Sequence, residues 1–169
     1  MAAKRSDAGS ESDRAADNEA DREIIVSRVV SAPRELVYQA FTDPQHVGLW
    51  WGPDGFTNTT YEMDVRPGGV WRFMMHGPDG KDWPNRIDYL EVVKPARLVY
   101  NHGGDDGAEV DPFAFHVTVT FDELGDRTKV TMRSLFPTKE MRDQVIREFG
   151  ALEGANQTLN HLEEYLKTM

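Results

Sequence analysis

The sequence predicts an α+β domain in which a curved antiparallel sheet of about six to seven strands surrounds a long C-terminal helix. Three observations lead to this fold class: a β-branched run at 22–31, two short helix starts within Ser31–Pro53, and a series of strand-like runs that ends in an amphipathic helix. Glycine- and proline-rich turns separate these runs at short intervals, which is typical of an antiparallel meander joined by hairpins.

Two short helices are predicted between the first and second strands. Pro33 suits the first position of a helix, because its missing N–H would have no partner there. Asp43 followed by Pro44 indicates a second helix start, with Asp43 as the N-cap. This second helix has room for barely two turns before Trp50-Trp51-Gly52-Pro53 ends it.

Strand-like runs fill the middle of the chain. The sixth strand shows the clearest alternation, since Phe113, Phe115 and Val117 alternate with smaller or polar residues. A period of two predicts that this aromatic side is buried. The strands that follow the first are expected at 56–65, 70–76, 82–93, 97–102, 112–121 and 128–136.

The C-terminus changes to a helical period. Thr138 is the expected N-cap, and Leu159 and Leu162 belong to an apolar stripe that predicts one helix of about 30 residues. Gly150 and Gly154 are expected to bend this helix. A curved sheet over a single helix rarely fills the space between them, so a ligand cavity is expected there.

Composition separates the chain into two parts and excludes several classes of function. Residues 1–21 are small, polar and charged, which predicts a disordered acidic tail, and 22–169 form the predicted domain. The absence of cysteine excludes disulfides, thiol nucleophiles and zinc fingers. A net charge of −10 argues against nucleic acid, and the lack of a long apolar run argues against membrane insertion. We therefore expect a cytoplasmic protein.

Several motifs in this order resemble the family related to the C-terminal domain of the activator of Hsp90 ATPase. This family is a branch of the START-like (Bet v 1-like, SRPBCC) superfamily, whose fold is called the helix grip. The matching segments cover about 22–168 and are Ala32-Pro33, Val37–Pro44, Leu49–Pro53, Asp64–Gly69, Phe73–Gly80, Leu90–Tyr100 and Leu159–Leu166.

The resemblance implies a cavity whose entrance lies near Trp50 and Trp51. Many relatives carry a Trp after the Gly of the last helix, whereas Ala155 follows Gly154 here, and the missing indole leaves either a roomier cavity or a space that neighbouring side chains fill. The Hsp90 activator has a separate chaperone-binding domain that residues 1–21 do not provide, so Hsp90 is not the expected partner.

The sequence leaves the orientation of the fourth strand open. Asn85, Tyr89 and Glu91 share one face, which points either into the cavity or to solvent. An inward Glu91 would need a partner such as Arg97 or Arg72, or its pKa would be raised. The full set of predicted cavity residues is Trp50, Trp51, Trp71, Phe73, Met75, Trp83, Asn85, Tyr89, Glu91, His102, Phe113, Phe115, Ala155 and Leu159.

The favoured function is the binding of a small hydrophobic or amphipathic ligand between the sheet and the C-terminal helix. The resemblance also implies an enzyme of the polyketide cyclase or hydratase kind, with Glu91, His102 and Tyr89 as the acid or base candidates. A third reading is a chaperone-associated or stress-response module that binds proteins, and outward Met74 and Leu135 would suit a homodimer. No cofactor is predicted, and the histidines lack a metal-ligand pattern.

Overall fold

The computed structural model describes residues 19–105 and 111–169, and it confirms the predicted fold class. One antiparallel sheet of seven strands curves around a C-terminal helix, with short helices after the first strand. The elements are β1 (Glu23–Val30), α1 (Arg34–Thr42), a 3₁₀ helix (Val47–Leu49), β2 (Thr57–Met63), β3 (Val70–His76), β4 (Asp82–Val93), β5 (Arg97–Gly104), β6 (Phe115–Leu124), β7 (Arg127–Leu135), α2 (Lys139–Phe149) and α3 (Ala151–Leu166).

The strand order is β1-β7-β6-β5-β4-β3-β2, so β2 to β7 form a simple meander and β1 pairs with the last strand. The turn between β6 and β7 shows how the sequence produces this arrangement. Only Gly125 and Asp126 separate the two strands, and Gly125 has a φ of 67°. Glycine adopts this left-handed conformation without steric cost, which favours a two-residue hairpin.

The second short helix is a single 3₁₀ turn at Val47–Leu49 rather than nearly two turns. The segment that follows it enters the core, where Trp50 is buried and its Nε1–H donates to the Ala40 carbonyl oxygen at 3.0 Å. The apolar Trp50 side chain therefore ends the helix by packing against α1. The prediction of a helix start at Asp43 holds only in part, because the Val47 N–H donates to the Asp43 carbonyl oxygen.

A bulge in β4 determines which of its side chains face inward. Ile87 and Tyr89 are buried on the inner face, and Tyr89 lies opposite Tyr100. The register then shifts, so that Glu91 lies opposite Val99 instead of an inward residue. One extra residue in a strand reverses the alternation beyond it. Glu91 consequently lies on the outer face.

The predicted C-terminal helix is two helices. Thr138 caps α2 as expected, since its side chain accepts a hydrogen bond from the Met141 N–H at 3.1 Å. Gly150 has φ and ψ of 59° and 38°, a left-handed conformation that ends α2 and starts α3. Gly154 does not interrupt the chain's helical conformation, because it lies within α3.

The sixth strand begins at Phe115, three residues later than predicted. Asp111 explains the delay, because its carboxylate oxygens accept from the N–H groups of Gly104 and Phe113, both at 2.8 Å. This side-chain turn holds Phe113 outside the ladder. Phe113 is therefore 65% exposed, whereas the period-two pattern predicts a buried side chain.

Candidate functional site

A cavity lies between the inner face of the sheet and the two C-terminal helices. It has an inner chamber of about 230 Å³ and an outer chamber of about 800 Å³. His102, Phe115 and Met75 line both chambers, as do Phe149 and Gly150 at the break between α2 and α3. The shared lining shows that the two chambers adjoin each other.

Small residues on α3 leave the inner chamber open. Gly154 and Ala155 both line it, at the positions where a helix packed against a sheet would ordinarily place larger side chains. A Cβ at Gly154 would lie 3.4 Å from Cγ of Pro53, so this glycine also allows α3 to approach the Pro53 segment. The cavity is therefore a consequence of missing side-chain volume on one helix face.

Tyr100, in the wall of the inner chamber, has a buried hydroxyl without a partner among the described residues. Tyr100 lines this chamber and is only 2% exposed. Its phenolic oxygen has no hydrogen-bond partner among the described residues. Burial raises the pKa of Tyr100 far above its ordinary value, so the group remains a neutral O–H donor. An unpaired buried hydroxyl costs folding free energy, and a ligand acceptor would remove that cost.

His102 stands at the junction of the chambers with a defined orientation. The Asn85 Nδ2 group donates to the Trp83 carbonyl oxygen at 2.9 Å, which turns Asn85 Oδ1 toward His102 Nε2, 2.8 Å away. Because an amide oxygen only accepts, Nε2 carries the proton and Nδ1 is an acceptor in the neutral ring. The imidazole thus offers one acceptor that none of the described residues uses.

Aromatic surroundings keep His102 uncharged. Its ring centroid lies 5.0 Å from that of Phe115, 6.0 Å from that of Phe73 and 6.2 Å from that of Trp51. Burial among these rings lowers the pKa of His102 to about 4. At neutral pH the imidazole is therefore a weak base and a hydrogen-bonding group rather than a cation.

The segment that forms one wall of the cavity is fastened to α3. Gly52 and Pro53 line the inner chamber. His161 Nδ1 lies 2.8 Å from the Gly52 carbonyl oxygen and Nε2 lies 2.6 Å from Asp54 Oδ1. The Asp54 N–H also donates to Gln157 Oε1 at 3.0 Å. The Gln157 hydrogen bond and the His161 ring, which in its neutral form donates to only one of these two acceptors, tie this wall to α3.

The structure brings eight of the fourteen predicted residues to the cavity wall. Those in the inner chamber are Trp51, Met75, His102, Phe115 and Ala155, and those found only in the outer chamber are Trp83, Asn85 and Phe113.

The other six lie elsewhere, and this placement corrects the predicted set. Five pack in the core because their side chains are held by neighbours; Trp71 and Phe73, for example, stack with centroids 3.8 Å apart. Glu91 lies on the outer face beyond the β4 bulge, where it forms an ion pair with Arg97. The core residues are Trp50, Trp71, Phe73, Tyr89 and Leu159.

Sequence reasoning missed Tyr100 and Ser134, which both line the inner chamber. A signal for Tyr100 was present, because it lies two residues before His102 in β5 and two-residue spacing places both on one face. Ser134 had a weaker signal, since it shares the inner face of β7 with Val130 and Met132. The residues of α3 that reach the cavity depend on the break at Gly150 and could not be assigned from the pattern.

The described walls have an uneven charge distribution. The inner chamber is lined by no Asp, Glu, Lys or Arg among these residues. The outer chamber has Asp111 and Glu153 but no Lys or Arg in the same part of the chain. The cavity therefore combines an uncharged interior with an acidic entrance.

Neither a metal-ligand cluster nor a membrane-spanning helix is found in the described part of the chain. Residues 19–105 and 111–169 contain no cluster of three or more His, Cys, Asp or Glu side chains arranged to hold a metal ion. None of the helices in these ranges has the length and apolar character needed to cross a membrane.

Comparison with known proteins identifies relatives of the whole domain. Residues 31–167 match a family model described as activator of Hsp90 ATPase homolog 1-like protein. No curated protein matches the chain.

Several solved structures are similar to this chain over most of its length. Protein NE0264 from Nitrosomonas europaea is 26% identical with a TM-score of 0.79, and the match covers 88% of this chain and 96% of that one. A protein from Arthrobacter aurescens is 25% identical with a TM-score of 0.81 and 90% coverage of both chains. Protein CV1439 from Chromobacterium violaceum is 28% identical with a TM-score of 0.73, covering 86% of this chain and 96% of that one.

Proposed function

The chain belongs to the activator of Hsp90 ATPase homolog 1-like family, and we propose that it binds a small, largely apolar molecule in the cavity between the sheet and α3. A family fold can host many functions, so the site itself has to support the proposal. The observation that carries it is the apolar chamber itself, whose wall has only a few polar groups, among them the Nδ1 acceptor of His102, which none of the described residues uses.

The size of the cavity suits such a ligand. A dry apolar cavity of about 150 Å³ is enough to bind benzene in another protein. The inner chamber measures about 230 Å³, which accommodates a substituted ring, and the outer chamber of about 800 Å³ can hold a longer substituent. Burial of the ligand's apolar surface would supply most of the affinity, at roughly 25 cal/mol per Å² before the costs of association.

Two polar groups would orient the ligand. Tyr100 offers an O–H donor in the inner chamber, and His102 offers the Nδ1 acceptor at the junction. A ligand with a carbonyl, ether or hydroxyl oxygen would satisfy Tyr100, and a hydroxyl or N–H would satisfy His102. A few placed polar groups within an apolar pocket are the usual basis of specificity for small molecules.

Binding is favoured over catalysis because the acid–base candidates do not suit proton transfer at neutral pH. A general base works best when its pKa is near the working pH, whereas that of His102 is lowered to about 4. Glu91 is on the outer face, and burial raises the pKa of Tyr89 well above its ordinary value. The cyclase-like alternative therefore lacks a suitable acid or base among its three predicted candidates.

The family description refers to activation of Hsp90, and we do not propose that activity for this chain. An unpaired phenol inside a cavity favours a small ligand, whereas a protein partner would engage the outer surface.

The proposal can be tested with the neutral dye N-phenyl-1-naphthylamine, whose fluorescence rises in an apolar site. We expect saturable binding to the wild-type protein. The Ala155→Trp variant should lose it, because an indole at this position fills the inner chamber. Leu152→Trp is the matched control, since Leu152 lies on the same helix, is 44% exposed and does not line the cavity.

Circular dichroism and thermal unfolding establish whether both variants are folded. Loss of dye binding in folded Ala155→Trp, with binding retained in Leu152→Trp, supports the cavity as the site. No saturable binding to wild type, or equal binding by both folded variants, would overturn the proposal. Native mass spectrometry of the purified wild-type protein would identify a co-purified small molecule by the mass that is lost on denaturation.

A further inference from the structure

We infer that the cavity selects neutral ligands and excludes anionic ones. This inference rests on the proposed function and specifies the chemical class of the ligand. Two independent features carry it: the polar groups that the inner chamber offers, and the charge of the adjoining outer chamber.

The inner chamber has nothing with which to compensate a buried anion. A carboxylate, sulfonate or phosphate that entered would lose its hydration, and burial of an unpaired charge is strongly unfavourable. Tyr100 could donate one hydrogen bond, but no Lys or Arg lines the chamber among the described residues. His102 does not provide the missing charge, because its proton at Nε2 is already directed to Asn85 and its ring is neutral at pH 7.

A neutral oxygen would fit the same groups well. The Tyr100 O–H can donate to a carbonyl or ether oxygen, and the free Nδ1 lone pair of His102 would repel an anionic oxygen but accept from a hydroxyl. The site thus distinguishes an alcohol from the corresponding acid, although the two differ little in shape.

The outer chamber adds repulsion at longer range. Asp111 and Glu153 line it, and no described Lys or Arg does so. Lys81 and Arg22 contact lining residues from outside, but Lys81 lies over the Trp83 ring at 4.0 Å and Arg22 donates to the Phe136 carbonyl oxygen at 3.1 Å. The whole chain has 29 acidic and 19 basic residues, so the surrounding field has the same sign.

The test uses three ligands that share a naphthalene ring and differ in charge: 1-naphthylmethanol, 1-naphthylmethylamine and 1-naphthoate. Each competes with N-phenyl-1-naphthylamine for the wild-type protein at pH 7. We expect the alcohol to displace the dye at least tenfold more strongly than the carboxylate, and the ammonium compound to bind more weakly than the alcohol, because its charge also loses hydration in the inner chamber. Direct calorimetric titration with the same compounds checks that displacement reports binding.

Two variants separate the entrance from the interior. Glu153→Lys should improve naphthoate binding by up to about sevenfold at low salt, since a unit charge acting through water at roughly 7 Å changes affinity by about threefold and the reversal changes the charge by two units. Glu164→Lys is the control, because it makes the same change of charge on α3 at a residue that does not line either chamber. The gain in Glu153→Lys should shrink at high salt, where exposed charges are screened.

The outcomes keep this inference distinct from the proposed function. If the dye and the alcohol bind and naphthoate is at least tenfold weaker, the inference is supported. If all three ligands bind with similar affinity, or naphthoate binds best, the charge selection is refuted while ligand binding stands. If neither the dye nor any of the three binds, the proposed function itself fails and the charge selection fails with it.

Discussion

The unpaired hydroxyl of Tyr100 leads to a prediction in which one substitution has opposite effects on folding and binding. Replacing Tyr100 with Phe removes only the oxygen and keeps the ring, which contacts Tyr89 edge to face at 6.1 Å. The hydroxyl is buried without a partner among the described residues, and such a group costs about 1–3 kcal/mol. We therefore expect Tyr100→Phe to increase the free energy of unfolding by about 1 kcal/mol or more.

Ligand affinity should change in the other direction. A hydrogen bond to a ligand acceptor contributes a net free energy of about 1 kcal/mol, which corresponds to roughly a fivefold change in affinity. A neutral ligand that carries an acceptor, such as 1-naphthylmethanol, should therefore bind Tyr100→Phe about fivefold more weakly. Naphthalene, which has no acceptor, should bind the variant and the wild type equally well.

Urea unfolding and calorimetric titration measure the two effects. Tyr89→Phe is the control, because Tyr89 is also a buried tyrosine of the sheet but does not line the cavity. The reasoning fails if Tyr100→Phe destabilises the protein by 1 kcal/mol or more, since the hydroxyl would then have a partner in the free protein. It also fails if the alcohol and naphthalene lose affinity equally.

Two further predictions concern charge. His102 has a pKa of about 4 in the fold against 6.5 for the ordinary group, so the unfolded chain binds more protons between these pH values. The free energy of unfolding should therefore fall by up to about 3 kcal/mol as the pH falls from 6.5 to 4. When urea unfolding is measured across this pH range, His102→Gln should lack this part of the pH dependence. Glu91→Gln should leave dye affinity unchanged and lower the free energy of unfolding by at most about 1 kcal/mol, because the ion pair of Glu91 with Arg97 is on the exposed outer face. A large loss of dye affinity would instead place Glu91 in the cavity.

Much of the fold could be predicted because its signals are local. Strands β3 and β4 begin and end where the alternation of Val70–His76 and the run Asp82–Val93 place them. The cap at Thr138 is equally local, since it needs only a hydroxyl ahead of a helical period. Such elements depend on residues a few positions apart, and these are visible in the sequence.

The parts that could not be predicted depend on contacts between distant segments. The bulge after Tyr89 is one example, because the pairing of β4 with β5 determines it, and its effect is to move Glu91 to the outer face. The break at Gly150 is another, since a glycine in a helical pattern is compatible with a continuous helix, a bend or an end. Residues 1–18 and 106–110, which include most of the predicted tail, lie outside the described residues.

The same distinction explains why the site was predicted only in part. Large aromatic residues suggest both core and cavity, and the structure assigns Trp71 to the first and Trp51 to the second. What separates these outcomes is the helix above them: Gly154 and Ala155 leave space over one part of the sheet, while Leu159 and Leu162 fill the space over another. The position of the cavity is therefore determined by where α3 lacks side chains.

This origin of the cavity has a consequence for how its specificity can vary. The sheet and the Leu159–Leu166 half of α3 make the core, so changes there would cost stability. Changes at Ala155, Tyr100 or His102 alter the volume, the donor or the acceptor of the cavity while most core contacts remain. Under the proposed function, relatives that share this fold at about 25% identity can differ in ligand without differing in architecture, and the ligand class of this chain would follow from those few positions rather than from the family as a whole.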